Sequence, residues 1–405
     1  MLVRLLGVMG MVLVAFGPAH GETNWLDEPF SRIEKAARDT EVRWVMYGGW
    51  SHVNTWVDTY VAGEMRERYD IDLIRVPMDA SVFVNKLLTE KAAGKDKGTM
   101  DLLWINGENF KNSKQAGLLY GSFASRLPNF KANIDPSTVV SDFGFPVEGH
   151  EAPFGRAYFV FEYDTSRLGN PPRSFETLKA WVKEHPDRFT YPQPPDFTGS
   201  AFIRQVFYAV TGGHEQYMAG FDPELFERQS PKLWAYLNEI EPYLWQQGRT
   251  YPKGSASLDT LLARGEALLG MSYHPPHAQN KILEGTFRKS VRTYVMQEGA
   301  LFNTHFTSIP FNAPNVPGAM VLANFLMSVD AQLSKYKPDN WGDFPILDMG
   351  RLTPEDRQRF RDVELGPATL SPAKLSAAAV PEIPSAYLEE LEKGSIVIVA
   401  GFQGV

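Results

Sequence analysis

The chain has no cysteine anywhere in its 405 residues. That excludes disulfides, a thiol nucleophile, thiolate metal ligation and a lipoprotein-type acyl anchor, so an exported chain of this composition must be held by its own core. At this length it can be, because the fraction of surface buried on folding rises to about three quarters near 300 residues. Positive charge is in deficit, with 40 Lys+Arg against 48 Asp+Glu and a net charge of −8. This argues against nucleic acid or an anionic membrane as partner. Gly-x-Ser-x-Gly, Walker-type, Gly-x-Gly-x-x-Gly and His-Glu-x-x-His signatures are all missing. Triads are assembled in space, however, so a secreted α/β hydrolase built from scattered Ser, His and Asp stays open as an alternative. Past the N-terminus no apolar run approaches the roughly 20 residues that span a bilayer. Internal repeats and low-complexity tracts are absent too.

What is present begins at the N-terminus. Arg4 is the only charge in residues 1–20, and 5–16 is an almost unbroken apolar run. Gly17 and Ala19 follow, and the chain turns polar from Gly21 to Asn24. A short positive region, a core of about a dozen apolar residues and a small-residue exit make a signal peptide at 1–20, cleaved after Ala19 or Gly21. Removing Arg4 with it leaves a soluble, unanchored periplasmic chain of net charge −9.

The first third alternates strands and helices: strand 42–47, helix 53–69, strand 71–77, helix 80–93, strand 101–105, helix 108–119. Such alternation predicts an α/β fold with a mostly parallel sheet. A β-prone run at 157–163 precedes a Pro-rich break at 169–172. Ser174 can cap a helix at 175–184, and a further helix follows at 201–210. Helix 258–263 and strands 267–273, 291–296 and 306–309 come next. A single long amphipathic helix is expected at 317–335, and an irregular surface loop at 367–384.

The order of these segments resembles the family-1 extracellular solute-binding proteins of ABC importers. Four stretches carry the likeness: Tyr47-Gly48-Gly49-Trp50 after an exported start; Ser174-Phe175-Glu176-Thr177-Leu178; Arg264-Gly265-Glu266-Ala267-Leu268-Leu269-Gly270-Met271; and Asn312-Ala313-Pro314-Asn315 ahead of the apolar helix from Gly318. It looks nearest to a little-characterised subgroup beside the thiamine, polyamine and ferric-ion binders. The resemblance implies a two-lobed binding fold of the class II type with two crossover hinge strands. Residues 21–160 plus 306–405 would form lobe 1, with 161–305 inserted as lobe 2. It also implies a monomer that catalyses nothing, takes no cofactor, closes on a small-molecule ligand and delivers it to an inner-membrane ABC permease. A binding protein serving a sensor is the alternative within that fold. The ferric binders use adjacent tyrosines, and this chain has no Tyr-Tyr pair, which lowers the iron reading.

Candidate ligand contacts lie at strand ends and helix starts, where α/β folds bind ligands. Tyr47, Gly49, Trp50 and Ser51 stand where a strand gives way to a helix; glycine permits close approach and the helix start offers free N–H groups. The competing reading is a tight turn with Trp50 in the core. Asn106 and Glu108 have the same placement after the third strand, although Asn106 can equally cap the helix. Asp196, Thr198, Gly199 and Ser200 open a helix that would seat an anion, unless Asp196 or Thr198 simply caps it. Tyr273 ends a strand, and Glu298 is a further carboxylate for a cationic ligand. His274 and His277 invite a metal reading, but the prolines between them forbid one helical face and no third ligand lies nearby, so no metal site is expected. Together these groups suit a thiamine-like, or a phosphorylated or cationic organic, compound. N-terminal sequencing of exported protein is expected to begin at His20 or Glu22, and an intact Met1 in that fraction would contradict the leader.

Overall fold

A computed structural model describes residues 23–399, so the leader and its cleavage positions lie outside the described residues. Helix α1 (Phe30–Ala37) leads into strand β1 (Thr40–Met46). The helix expected next is three segments in one run: α2 (Ser51–Trp56), a π-helical turn (Val57–Val61) and α3 (Ala62–Tyr69). β2 (Ile71–Pro77), α4 (Ala80–Ala92), β3 (Leu102–Ile105) and α5 (Gly107–Gln115) follow closely on the predicted pattern. After α6 (Pro128–Asn133) comes a short hairpin, β4 (Ser141–Asp142) and β5 (Phe145–Pro146).

The β-prone run around residue 160 is not one strand. β6 (Ala152–Tyr158) belongs to one sheet and β7 (Val160–Asp164) to another, with Phe159 between them. In the second body, α7 (Phe175–Glu184) starts at a Ser174–Thr177 capping box, as its sequence suggests. α8 (Phe197–Thr211), α9 (Pro223–Ile240), α10 (Ser255–Arg264), β8 (Leu269–Ser272), α11 (His277–Leu283) and β9 (Val291–Tyr294) complete it. The chain returns in β10 (Ala300–Ser308), then builds α12 (Val316–Leu326), α13 (Val329–Tyr336), α14 (Pro354–Arg361), α15 (Pro372–Ala378), β11 (Ala379–Pro381) and α16 (Ser385–Ile398).

Six strands form the first sheet, in the order β11-β10-β3-β1-β2 with β6 also on β10. β1 pairs in parallel with β2 and β3, while β10 runs antiparallel to β3 and β6. The second sheet is antiparallel, β8-β7-β9. Each sheet has its own apolar core. Trp44, Val45, Leu102, Leu103, Phe154 and Met320 belong to the first, and Phe161, Phe175, Phe202, Phe207 and Met271 to the second.

Several expectations need correction. Residues 300–305, assigned to the inserted lobe, lie in the first sheet, because β10 pairs with β6 from Phe302 onward. The long helix at 317–335 is two helices meeting at 61°. Ser328 interrupts it by capping α13, its hydroxyl accepting the Ala331 N–H. The loop expected at 367–384 is ordered: it holds α15 and β11, and Ala368, Leu375 and Ile383 are buried. Nor does the C-terminal stretch stay with lobe 1. After β11 the chain passes a third time between the bodies, and Ile383, Tyr387, Leu388, Leu391 and Val399 pack in the second core. All three passages lie in register: Tyr158 of β6 and Pro381 of β11 both pair with Phe302 of β10.

One buried carboxylate ties the first body together. Asp101, fully buried, accepts the Arg43 N–H at 2.7 Å and the Asn315 N–H at 2.8 Å. It thereby joins β1 to the start of α12. Asp101→Ala would leave two backbone donors without their partner, at about 1–3 kcal/mol for each such group. A loss of about 2–6 kcal/mol in urea-unfolding free energy is expected.

Candidate functional site

The ends of β1 and β8 face each other between the two bodies. Past β1, the Tyr47 ring folds back over Gly49, where a Cβ would collide with it, so Gly49 makes room for a ring of its own chain. Tyr47 meets Trp50 edge-on at 5.6 Å. Trp50 in turn stacks on His274, just past β8, at 5.5 Å and 25°. Behind this pair Trp104, Trp341 and His305 form an aromatic layer, with Trp104 6.5 Å from Trp50 and 5.0 Å from His305. Tyr47 and Phe197 are large rings left 48 % and 40 % exposed, which marks them as available contacts.

Charge at this place is negative. Burial, followed by the charges of Asp196 and Asp79, holds the Tyr47 phenol above its usual pKa. Asp79 is exposed and has no ion-pair partner among the described residues. The start of α8, expected to seat an anion, is already filled by the protein. One oxygen of Asp196 accepts the N–H groups of both Thr198 and Gly199 at 3.0 Å. Capping accounts for these residues. Gly199 is small because the Pro192 carbonyl lies against it, and the Thr198 hydroxyl meets that of Ser255 at 3.1 Å. Ser200 donates to Glu392 of α16 at 2.6 Å and accepts from Arg204 at 2.7 Å.

Other candidates turn elsewhere. Tyr273 is buried and donates to Glu382 at 2.6 Å. Successive side chains at a strand end point to opposite sides, so the residue beside it, His274, takes the position facing Trp50. Burial pushes the His274 imidazole down to about 3, so it is neutral, and neither ring nitrogen has a well-aligned hydrogen bond. The sequence offered His274 only as a metal ligand and favoured Tyr273 as the contact. Glu298 accepts the Phe175 N–H at 2.9 Å and caps α7. Ser51, at the start of α2, donates to Glu284 at 3.0 Å. Asn106 precedes α5 without capping it, which leaves its amide free of hydrogen bonds to the described residues.

His277 lies deeper, its two ring nitrogens 2.9 Å from Glu162 and 3.2 Å from Asp259. Carboxylates on opposite edges of the ring suit an imidazolium rather than a metal-bound imidazole, which would keep one edge for the ion. The charges of Asp259 and Glu162 outweigh burial and hold its pKa well above the ordinary value.

Glu108 belongs to the contact between α5 and α16. Burial first, then the charge of Glu392, raises its carboxyl to about 7 from 4.5. A carboxyl whose folded pKa lies above its unfolded value binds protons more tightly when folded. Stability therefore falls as pH rises from about 4.5 to about 7. Glu108→Gln is expected to remove that loss. In urea titrations the variant should gain on the order of 1 kcal/mol over wild type at pH 8 and nothing at pH 4.

Comparison with known proteins identifies the family and the fold. Residues 61–354 match the family described as bacterial extracellular solute-binding protein. Protein YnjB of Escherichia coli K12 is 37 % identical over 359 residues, covering 88 % of this chain and 90 % of that protein. Among solved structures, the periplasmic binding protein AfuA of Actinobacillus pleuropneumoniae, described with fructose-6-phosphate bound, superposes with a TM-score of 0.62. It is 15 % identical and the match covers 89 % of this chain and 98 % of that one. A periplasmic thiamin-binding protein gives 0.56 at 18 % identity, over 87 % and 95 %. At such identity these two establish a shared two-lobed fold. The family is one of binding proteins rather than enzymes, typically periplasmic, whose members take small-molecule ligands and work with ABC permeases. This chain belongs to the bacterial extracellular solute-binding proteins.

Proposed function

We propose that this protein captures an organic cation with a planar portion, between the end of β1 and the start of α8, and delivers it to an ABC permease. The observation that carries the ligand class is Asp196. By occupying the first N–H groups of α8 with one oxygen, it turns an anion seat into a carboxylate whose charge acts on the Tyr47 phenol. Asp79 adds a second negative charge, and Tyr47, Trp50 and Phe197 supply faces for stacking and cation–π contact. Asn106 and neutral His274 add polar contacts without charge. A phosphorylated ligand fits poorly, because no basic side chain pairs with Asp79 or Asp196 among the described residues and the helix start is taken.

The same reading makes the protein a monomer, free in the periplasm without a lipid anchor, and without a nucleic-acid partner. Lobe 1 would comprise the first sheet with α12 to α15. Lobe 2 would run from Val160 to Tyr294 and take back the C-terminal stretch from Glu382.

A thermal-shift screen against organic cations, sugar phosphates, inorganic phosphate and divalent metals tests the ligand class. Saturation at 100 times Kd adds about 2.7 kcal/mol and is readily seen. Organic cations alone should raise Tm, and a shift produced only by the phosphates would overturn the reading. With a hit in hand, Trp50→Ala should weaken binding about 30-fold by calorimetry and Asp79→Asn about tenfold.

A further inference from the structure

Helix α11 of the second body leans on the first body along its length. The Asn280 amide donates to the Trp341 carbonyl at 2.8 Å, and the Gln279 side chain accepts the N–H of Ala368 at 3.3 Å, a residue that also packs against Ala278, Phe287 and Val291 of the second body. At its C-terminal end Glu284 reaches the start of α2, where one oxygen accepts the Ser51 hydroxyl at 3.0 Å and lies 2.9 Å from His52 Nε2, while its other oxygen accepts from Lys281 of α11 at 2.9 Å. A cavity of about 350 Å³ opens beside this contact, lined by His52, Thr55, Tyr60, Glu284, Asp339 and Asn340 among others. The His52 and Glu284 side chains remain 22 % and 23 % exposed. Water can therefore take over both groups when they part, unlike the buried pairs elsewhere in the chain. Lys111 and Glu389 also join the bodies, at 2.6 Å, but α16 follows directly on the third passage. A rotation about the passages displaces atoms there least.

We propose that Glu284 is the latch of the cleft, a positioning residue that holds the lobes closed through Ser51 and His52 without touching the ligand. This rests on the two-lobed capture reading but not on the ligand's identity. A contact that forms only when the lobes meet, and is solvated when they part, biases the open–closed equilibrium at small cost to folding. Ligand affinity then follows from the closed fraction.

The absence of native cysteine allows a direct test. Spin labels at Glu67→Cys on α3 and Arg228→Cys on α9, both exposed, report the distance between lobes in the ligand-free full-length mature protein. Glu284→Ala should move the distribution toward longer distances, changing the long-to-short ratio about threefold. Ser51→Ala with His52→Ala should do the same from the other lobe, and joining both sets should add nothing further. Asp58→Ala, which breaks the 2.7 Å pair with Arg75 inside the first body, should leave the distribution unchanged. An unchanged distribution in Glu284→Ala, or additive effects from the two sides, would overturn the latch. Should Glu284→Ala fail to fold, the Ser51/His52 variant alone decides: a shift supports the latch and none overturns it. Because no ligand is added, failure of the cation screen and failure of the latch are separate results.

Discussion

The buried pair of Arg204 with Glu382 is the constraint on which the second body depends. Arg204 is fully buried, and both its Nε and Nη2 donate to the carboxylate at 2.8 Å. Taking two such ions out of water costs several kcal/mol each, and only near-complete hydrogen bonding offsets it. That completion is visible: Tyr273 donates to Glu382, Ser200 accepts from Arg204, and the guanidinium lies over Phe143 and Phe197 at 5.5 Å each. The charges of Glu382 and Glu392 keep the arginine protonated despite burial. Through this pair the C-terminal stretch, α8 and the end of β8 are set relative to one another.

Its effect reaches the cleft indirectly. With its hydroxyl committed to Glu382, Tyr273 faces inward, and the next residue presents an imidazole instead. Ser200 is likewise drawn toward α16. What remains open between the bodies is aromatic, neutral and acidic, and the cationic reading grows from that remainder. The Phe197 ring, with the Arg204 guanidinium 5.5 Å from its centre, stays partly exposed beside it.

Much of the first body was legible, since period-2 and period-3.6 patterns and glycine-rich strand ends survive in the residues from Val42 to Gln115. Ser174 was legible as a cap because its partner Thr177 is local. The cleft was only half legible. Strand ends at Tyr47 and Trp50 can be read from the chain, but a one-residue change of phase decides whether Tyr273 or His274 faces outward, and short strands carry no reliable phase. Asp196 could be read as a cap or as a neighbour of the ligand, and nothing local decides which hydrogen bonds win. Glu298 and Ser200 found their partners 123 and 192 residues away. The third passage was hidden for a different reason: its apolar residues are spread among alanine, serine and proline, which read as a loop.

The alignment of the three passages at Phe302 has a mechanical consequence. A single linker between two bodies permits swivel, bend and twist alike, whereas three chains crossing side by side within one hydrogen-bonded ladder resist shear and torsion together. What they leave free is rotation about the line they define, as pins in a door hinge do. Lobes joined this way would approach each other along one arc. A solute entering the mouth would then meet the Trp50 and His274 rings on the same trajectory each time, and selectivity would rest on one geometry of approach rather than an average over many.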